Sequence, residues 1–504
     1  MRLSRRQLFK LGLAGGAAMA FPSDGLAWGN GGSGGTTFGT GGTGVTAFTL
    51  PLALPSVLQP SSTDATTDYY TITQSVAQQQ LIPGKLTTIW GYNGQFPGPT
   101  IKARVGRKVA ITQINNLPES VSVHQHGGHT PSDSDGYPTA LIAPGQSRVY
   151  TYPNNQLPAT LWYHDHAADV TGRHVYMGLA GFYLLSDAFE DALPLPKGAN
   201  DVPLVFQDRL FNTDGSLSYT LDDRTIEEGF LGDTLMVNGV IQPYFQVPRR
   251  KMRFRLLNGS NSRIYNFTLS NGKPFTQIGS DGGLLSAPVS RTSIQLAPAE
   301  RADVIIDFTS VPVGTSVVLQ NGDGGCTYSY RSGYTSEGGW SSGGAKVDIM
   351  RFDVTRDEVD ESSIPATLRA VTRIPTSQAT KSRTWTLGQT YSGGRNKWSI
   401  NGKLWDPARV DATPALNSTE IWTFQNQSGQ THPMHIHDIQ FQIVDIGGQA
   451  PSAFDAGWKD TVLVPKWGSA RVIMKFTDLT GNYVLHCHKL EHEDHAMMTQ
   501  FKVV

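Results

Sequence analysis

Between Tyr483 and Met498 the chain reads Tyr-Val-Leu-His-Cys-His-Lys-Leu-Glu-His-Glu-Asp-His-Ala-Met-Met. A strand ending at Cys487, followed by one tight loop, brings Cys487, His492 and Met497 within reach of a single ion. Thiolate, imidazole and a weak thioether make the donor set of a blue-copper electron-transfer site. His486 and His488 flank the cysteine, and on an extended strand neighbouring side chains leave by opposite faces. One strand can therefore serve two metal centres back to back. A lone histidine or methionine is ordinarily a packed or solvated residue, so this reading requires further imidazoles elsewhere in the chain.

They are present. The 13 histidines fall into clusters: His124 and His126 in Val-His-Gln-His-Gly-Gly-His, His164 and His166 in Trp-Tyr-His-Asp-His, and His432, His435 and His437 in Thr-His-Pro-Met-His-Ile-His. With His486 and His488 there are four His-x-His pairs, each with both rings on one strand face. Eight imidazoles suffice for three coppers, and His432 is left to join His492 at the cysteine. Zinc is the competing metal, but it favours closed tetrahedral sites, and this donor set exceeds any single one.

In order and spacing, the motifs His-x-His, His-x-His, His-Pro-x-His-x-His and His-Cys-His-x-x-x-His-x-x-x-x-Met resemble those of the multicopper oxidases, most nearly the bacterial spore-coat laccase and bilirubin oxidase branch. The likeness extends through Trp-Tyr-His-Asp-His-Ala, Asn-Gly-Ser-Asn-Ser-Arg (258–263), Gly-Ser-Asp-Gly-Gly-Leu-Leu (279–285), Leu-Ala-Pro-Ala-Glu-Arg (296–301) and His492-Glu493-Asp494. It covers the chain from about residue 65 onward. The resemblance implies four copper ions. Cys487, His432 and His492 would bind the type 1 copper with Met497 axial, and His124 and His435 the type 2 copper. His126, His164, His166, His437, His486 and His488 would hold the type 3 pair. His129, His174 and His495 match no ligand position and are read as surface residues or as supports for the ligands.

The same resemblance implies one-electron oxidations at the type 1 copper coupled to four-electron reduction of O2 to water. Asp135 and Glu493 match acidic positions that relay protons in that branch, and a buried carboxylate beside metals suits proton transfer. Their alternatives are a turn cap for Asp135 and a solvated loop charge for Glu493. A thioether axial ligand implies a low-to-moderate potential, and hence phenols, aromatic amines or bilirubin-like pigments as donors. The rival readings are a Cu(I) or Mn(II) oxidase, a copper-binding protein without turnover, and a copper nitrite reductase. The 10 methionines form no cluster of the kind a metal oxidase carries.

A chain of 504 residues exceeds one core. Charged residues are 16%, and 54 glycines and 29 prolines accompany many short alternating stretches, which is the composition of strands and turns. Period two recurs at Arg107–Asn116, Lys251–Leu257, Tyr265–Ser270 and Ala470–Phe476 and predicts half-buried antiparallel strands. A weak repeat, a turn followed by an alternating strand and a terminal asparagine, places Asn115, Asn258 and Asn426 at domain-length intervals. The expectation is all-β: three antiparallel β-sandwich domains over 63–195, 196–358 and 359–504, which the resemblance makes cupredoxin-like with Greek-key connections. The middle domain carries no ligand and is read as a spacer, so the three-copper cluster would lie between the outer two.

Residues 1–27 read as an export signal. Ser4-Arg5-Arg6-Gln7-Leu8-Phe9-Lys10 precedes the apolar run Leu11 to Ala20, with small residues at Ala20 and Ala27 for cleavage. Paired arginines indicate the twin-arginine route and a periplasmic or extracellular destination. Residues 28–62 read as a Gly/Ser/Thr-rich linker. The run is too short to anchor the chain in a membrane, and a net charge of −1 argues against a nucleic-acid partner. The expected partners are O2 and small-molecule electron donors, with the chain acting as a monomer. Two cysteines exclude disulfide stapling; if Cys487 ligates copper, Cys326 has no partner in the chain.

Overall fold

The alternating stretches become strands, and their apolar faces meet in pairs. The computed structural model describes residues 40–322 and 346–504. Six sheets pack as three sandwiches, each around its own core. The first joins the sheet of Thr67–Ile82 and Lys108–Asn116 to that of Gly98–Arg104, Ala180–Ser186, Thr160–Asp165 and Val123–His126. The second is built on a seven-stranded and a five-stranded sheet between Asp201 and Asp357. The third packs the sheet of Thr419–Asn426 on that of Thr461–Val464, His432–Ile436, Gly481–Cys487 and Met498–Val503. Most pairings are antiparallel, but five are parallel: Thr67–Ile82 with Lys108–Asn116, Gly98–Arg104 with Ala180–Ser186, Asp201–Arg209 with Lys251–Asn258, Tyr244–Arg249 with Val347–Asp357, and Lys381–Ser392 with Thr419–Asn426. Parallel neighbours need a crossover, here one that passes over the sandwich. Among the described residues no helix is long and apolar enough to cross a membrane. The fold is all-β, as expected.

The terminal asparagines of the repeat have one physical task, performed three times. Asn115 accepts from Leu117 N (2.9 Å) and donates to the carbonyls of Glu119 and Ile142 (both 2.8 Å). Asn258 accepts from Ser260 N and donates to the carbonyls of Arg263 and Leu296. Asn426 accepts from Ser428 N and donates to those of Gln430 and Pro465. Each amide thus satisfies three backbone groups where a central strand ends in buried surroundings, which water cannot do there.

Two expectations need correction. Met252, Phe254 and Leu256 face the core as read, but Arg253 and Arg255 on the opposite face are buried as well. The helix Ala188–Ala192 brings Glu190 against them, and Asp201 and Asp303 complete the ion pairing. The strand is therefore buried on both faces. The linker read over 28–62 is, from Thr40 on, laid along the sandwiches. Phe48 N donates to Gln242 O (2.9 Å), Leu52 N to Tyr244 O (2.7 Å) and Leu58 N to Thr100 O (2.9 Å). Leu52 packs on the second core, so apolar side chains among the polar ones fasten the segment. Residues 1–39, with the export signal, and Cys326 lie outside the described residues.

Candidate metal centre

Strand register assembles the histidines. In the first sandwich Val123–His126 pairs antiparallel with Thr160–Asp165, setting His124 opposite His164. In the third, His432–Ile436 pairs with Gly481–Cys487, setting His435 opposite His486 and Met434 opposite Cys487. Alternation then sends Cys487 into the third core, while His486 and His488 meet the histidines of the first sandwich. Across the junction His124 stacks on His437 with ring centroids 3.8 Å apart, and His126 on His435 at 3.7 Å. Gly136, at φ +80°, lets the Asp135 turn press on this strand, since a Cβ there would sit 2.2 Å from Val123 O.

All twelve proposed donors are buried, and eleven of them fall into tight groups. Cys487 Sγ is 3.5 Å from His432 Nδ1 and 3.6 Å from His492 Nδ1, and those two nitrogens are 3.3 Å apart. The point equidistant from the three lies about 2 Å from each, the reach of nitrogen and sulfur ligands to a first-row cation. His166, His437 and His486 bring their Nε2 atoms to 3.1–3.2 Å of one another. His126, His164 and His488 form a third trio, and His124 meets His435 Nε2 to Nε2 at 3.4 Å. Met497 is buried beside the sulfur trio, its carbonyl accepting from Cys487 N at 3.1 Å.

Electrostatics fits a cation-binding role. Burial pushes His126, His164, His432, His435, His437, His488 and His492 well below the ordinary imidazole range, and His166 down to about 3. The rings are thus neutral, as metal ligation requires. His164 Nε2 and both ring nitrogens of His488 are buried with no hydrogen-bond partner among the described residues. Such orphaned lone pairs are costly unless a ligand takes them. Burial also pushes the Cys487 thiol up to about 12, so a thiolate there needs a cation beside it.

Both candidate carboxylates lie behind the rings. Asp135 Oδ2 accepts from His437 Nδ1 at 2.8 Å, and the Asp135 carbonyl accepts from His124 Nδ1 at 2.6 Å. Glu493 lies 2.9 Å from His486 Nδ1 and 3.3 Å from His166 Nδ1. Burial alone would raise its carboxyl, but His486 and His166 hold it below the ordinary carboxylate range. Glu493 is buried rather than solvated. Of the remaining histidines, His174 is buried against Asp165 Oδ1 (2.8 Å), His129 bridges Asp438 and Asp478, and His495 is partly buried.

Sequence reading missed several contributors. Glu227, on the short helix Asp223–Glu228 of the middle sandwich, accepts from His492 Nε2 through its carbonyl at 2.9 Å. Trp398 stacks on the same imidazole at 4.4 Å and donates to Ile226 O. Glu491 is wholly buried and accepts from Tyr219, Asn261, Ser262 and Phe230 N. Asp460, also buried, accepts from His126 Nε2 at 3.0 Å. The middle sandwich is therefore more than a spacer.

Multicopper oxidase family models match residues 75–189, 182–333 and 376–504. The chain is 38% identical to a laccase of Bacillus subtilis (strain 168) over 89% of its own length and 96% of that protein's. It is 33% identical to the bilirubin oxidase of Albifimbria verrucaria, covering 90% of this chain and 81% of that one. The crystal structure of a laccase from Pediococcus acidilactici superposes with a TM-score of 0.80 at 33% identity, over 90% of this chain and 93% of that one.

Proposed function

The chain belongs to the multicopper oxidase family and is an oxidoreductase, and from that premise we propose that it oxidises small electron-rich aromatics one electron at a time and reduces O2 to water. The observation that carries this reading is the division of eleven buried donors into one sulfur-containing trio and an eight-imidazole cluster on the opposite face of the same strand. Cys487, His432 and His492, with Met497 buried beside them, would hold the type 1 copper. His124 and His435 would hold the type 2 copper, and His126, His164, His166, His437, His486 and His488 the type 3 pair. Once bound, copper supplies single-electron acceptance at the sulfur and four-electron reduction of O2 at the cluster.

The residues supply the rest. His492 is buried, but its Nε2 donates to the carbonyl of Glu227, an exposed residue, and a donor would deliver electrons from that side. Cys487 links by backbone to His486 and His488, giving electrons a covalent path to the cluster. Glu493 spans His166 and His486, and Asp135 backs His437; these two carboxylates hold and deliver protons where bulk water does not reach. Phenols, aromatic amines and bilirubin-like pigments are the proposed donor class. We assign three domains, 63–195, 196–358 and 359–504, with export by the twin-arginine route.

Metal analysis, an absorption spectrum and oxygen uptake test the proposal together. Four coppers per chain, a blue band and O2 consumption with a phenol in preference to Cu(I) or nitrite are the expected results. A metal-replete sample that is colourless, or that holds a single copper, overturns it.

A further inference from the structure

The ring of His126 is set the other way round from its neighbours. His124, His164, His435 and His437 turn Nδ1 to a backbone or carboxylate oxygen and direct Nε2 inward. His126 instead donates from Nε2 to Asp460 Oδ1 at 3.0 Å, with Thr461 Oγ1 at 3.3 Å. Its Nδ1 is buried with no hydrogen-bond partner among the described residues, and it groups with His164 and His488. A carboxylate behind an imidazole decides which nitrogen carries the proton and which offers the lone pair.

Asp460 is itself held by a residue of the middle sandwich. Arg301, on the strand Arg301–Asp307, donates Nη1 to Asp460 Oδ1 (2.8 Å) and Nη2 to Oδ2 (2.5 Å). Its Nε donates to Thr160 O of the first sandwich, and its remaining donors go to Ala299 O and Asp281 O. All the N–H donors of the guanidinium are thereby used, in a forked geometry that lysine cannot copy. The pair presses against the chain beside His126. A Cβ on Gly127, at φ +82°, would lie 2.6 Å from Asp460 Oδ2 and 2.7 Å from Arg301 Nη2.

We propose that Arg301 and Asp460 are positioning residues that keep the proton of His126 on Nε2 and its Nδ1 lone pair turned to the His164–His488 trio. The middle sandwich, which contributes no ligand, thus sets how tightly the cluster holds metal. Asp460 does so twice, because its backbone carbonyl also accepts from His435 Nδ1 at 2.8 Å. The assignment rests on the copper-cluster reading given above, and the experiment separates the two.

Copper per chain, its release to a chelator and the paramagnetic signal of the cluster are compared in the full-length wild type, Asp460→Asn, Arg301→Lys and Phe454→Leu. Asp460→Asn keeps the volume but lets an amide donate toward His126; Arg301→Lys keeps the charge and gives up the fork. Both are expected to retain the blue absorption of the Cys487 site, to release cluster copper about 10- to 100-fold more readily, and to change the cluster signal. Phe454→Leu removes a different contact between the middle and third sandwiches, that of the Arg291 guanidinium over the Phe454 ring at 3.5 Å, and cluster copper is expected to stay within about twofold of wild type, a small fraction of that effect. Wild-type release and signal in Asp460→Asn and Arg301→Lys overturn the positioning role. So does an equal loss in Phe454→Leu, which would reduce the pair to mere docking. If Asp460→Asn does not fold, Arg301→Lys decides alone. A wild type holding fewer than four coppers overturns the cluster reading, and this inference with it.

Discussion

Replacing Glu491 by Gln is expected to loosen the loop that carries His492 while leaving every proposed ligand in place. The wild-type carboxylate is saturated. Oε1 accepts from Tyr219 Oη and Asn261 Nδ2, both at 2.8 Å, and Oε2 accepts from Ser262 Oγ (2.5 Å) and Phe230 N (3.0 Å). A glutamine amide brings one oxygen and one NH2. With NH2 at the Oε2 position, the Ser262 hydroxyl can turn to accept, but Phe230 N–H then faces another donor. With the amide flipped, the same conflict arises at Asn261. One buried donor is left unmet and the surviving bonds lose their charge. At about 1.5–3 kcal/mol for a charge-assisted bond and about 1 kcal/mol for the weakening of the others, the loss is about 2–4 kcal/mol. That corresponds to a roughly 30- to 700-fold larger population of open loop. Hydrogen exchange read by mass spectrometry over residues 489–497 reports it directly, because Leu490 N donates to Asn261 O and Met497 N to His492 O. Unchanged protection of this segment in a folded variant would refute the reasoning.

Three further outcomes are expected. Asn258→Ala removes three hydrogen bonds from a wholly buried site and destabilises the chain by about 2–4 kcal/mol; a loss under about 1 kcal/mol in denaturant unfolding of the copper-free protein would show that the repeat asparagines are dispensable. Glu493→Gln keeps the blue absorption but slows O2 reduction by about 10- to 100-fold, within the range of a lost proton-transfer group, and wild-type turnover under saturating donor would remove Glu493 from the relay. The third concerns His129. Burial works against its charge, yet Asp438 and Asp478, one at each ring nitrogen, push it up to about 9. A histidine raised above its unfolded value of about 6.5 contributes stability fully below that pH, and the contribution is lost as pH rises through about 9. The wild-type advantage in thermal stability over His129→Gln therefore shrinks between those limits, and an advantage that grows toward alkaline pH would contradict the pairing.

How much of this was legible in the chain differs between ligands and fasteners. His-x-His at period two and the run around Cys487 are local patterns: one strand fixes them, so residue type and spacing sufficed to group them. Arg253 and Arg255 misled because period two predicts which face a residue takes, not whether a second sandwich covers that face. The segment after Thr40 misled because composition registers glycine and serine but not the carbonyls of Gln242 and Tyr244 waiting at an edge. Asp460 carried no local signal at all, being a single carboxylate in a loop whose partners, His126 and Arg301, lie in other sandwiches. Several motifs that bore the family resemblance without bearing ligands acquire a purpose here. Asn261 and Ser262 grip Glu491, Asp281 and Glu300 receive Lys459, and Arg301 receives Asp460.

Four consecutive residues show why spacing matters as much as donor type. Glu491 binds the middle sandwich, His492 joins the sulfur trio, Glu493 backs two rings of the cluster, and Asp494 accepts from Thr171 N and Gly172 N of the first sandwich. They occupy the short helix Leu490–Asp494, where each step turns the side chain by about 100°. Four successive directions thus reach four different partners, and no single residue could be shifted without turning the others away. Metal held at Cys487 and His492 would thereby be tied to all three sandwiches through one turn of chain. Ligation and docking would stabilise each other because they share that turn, so removing copper from the proposed sulfur site is expected to weaken the contacts of Glu491 and Asp494 even though neither belongs to the proposed ligand set.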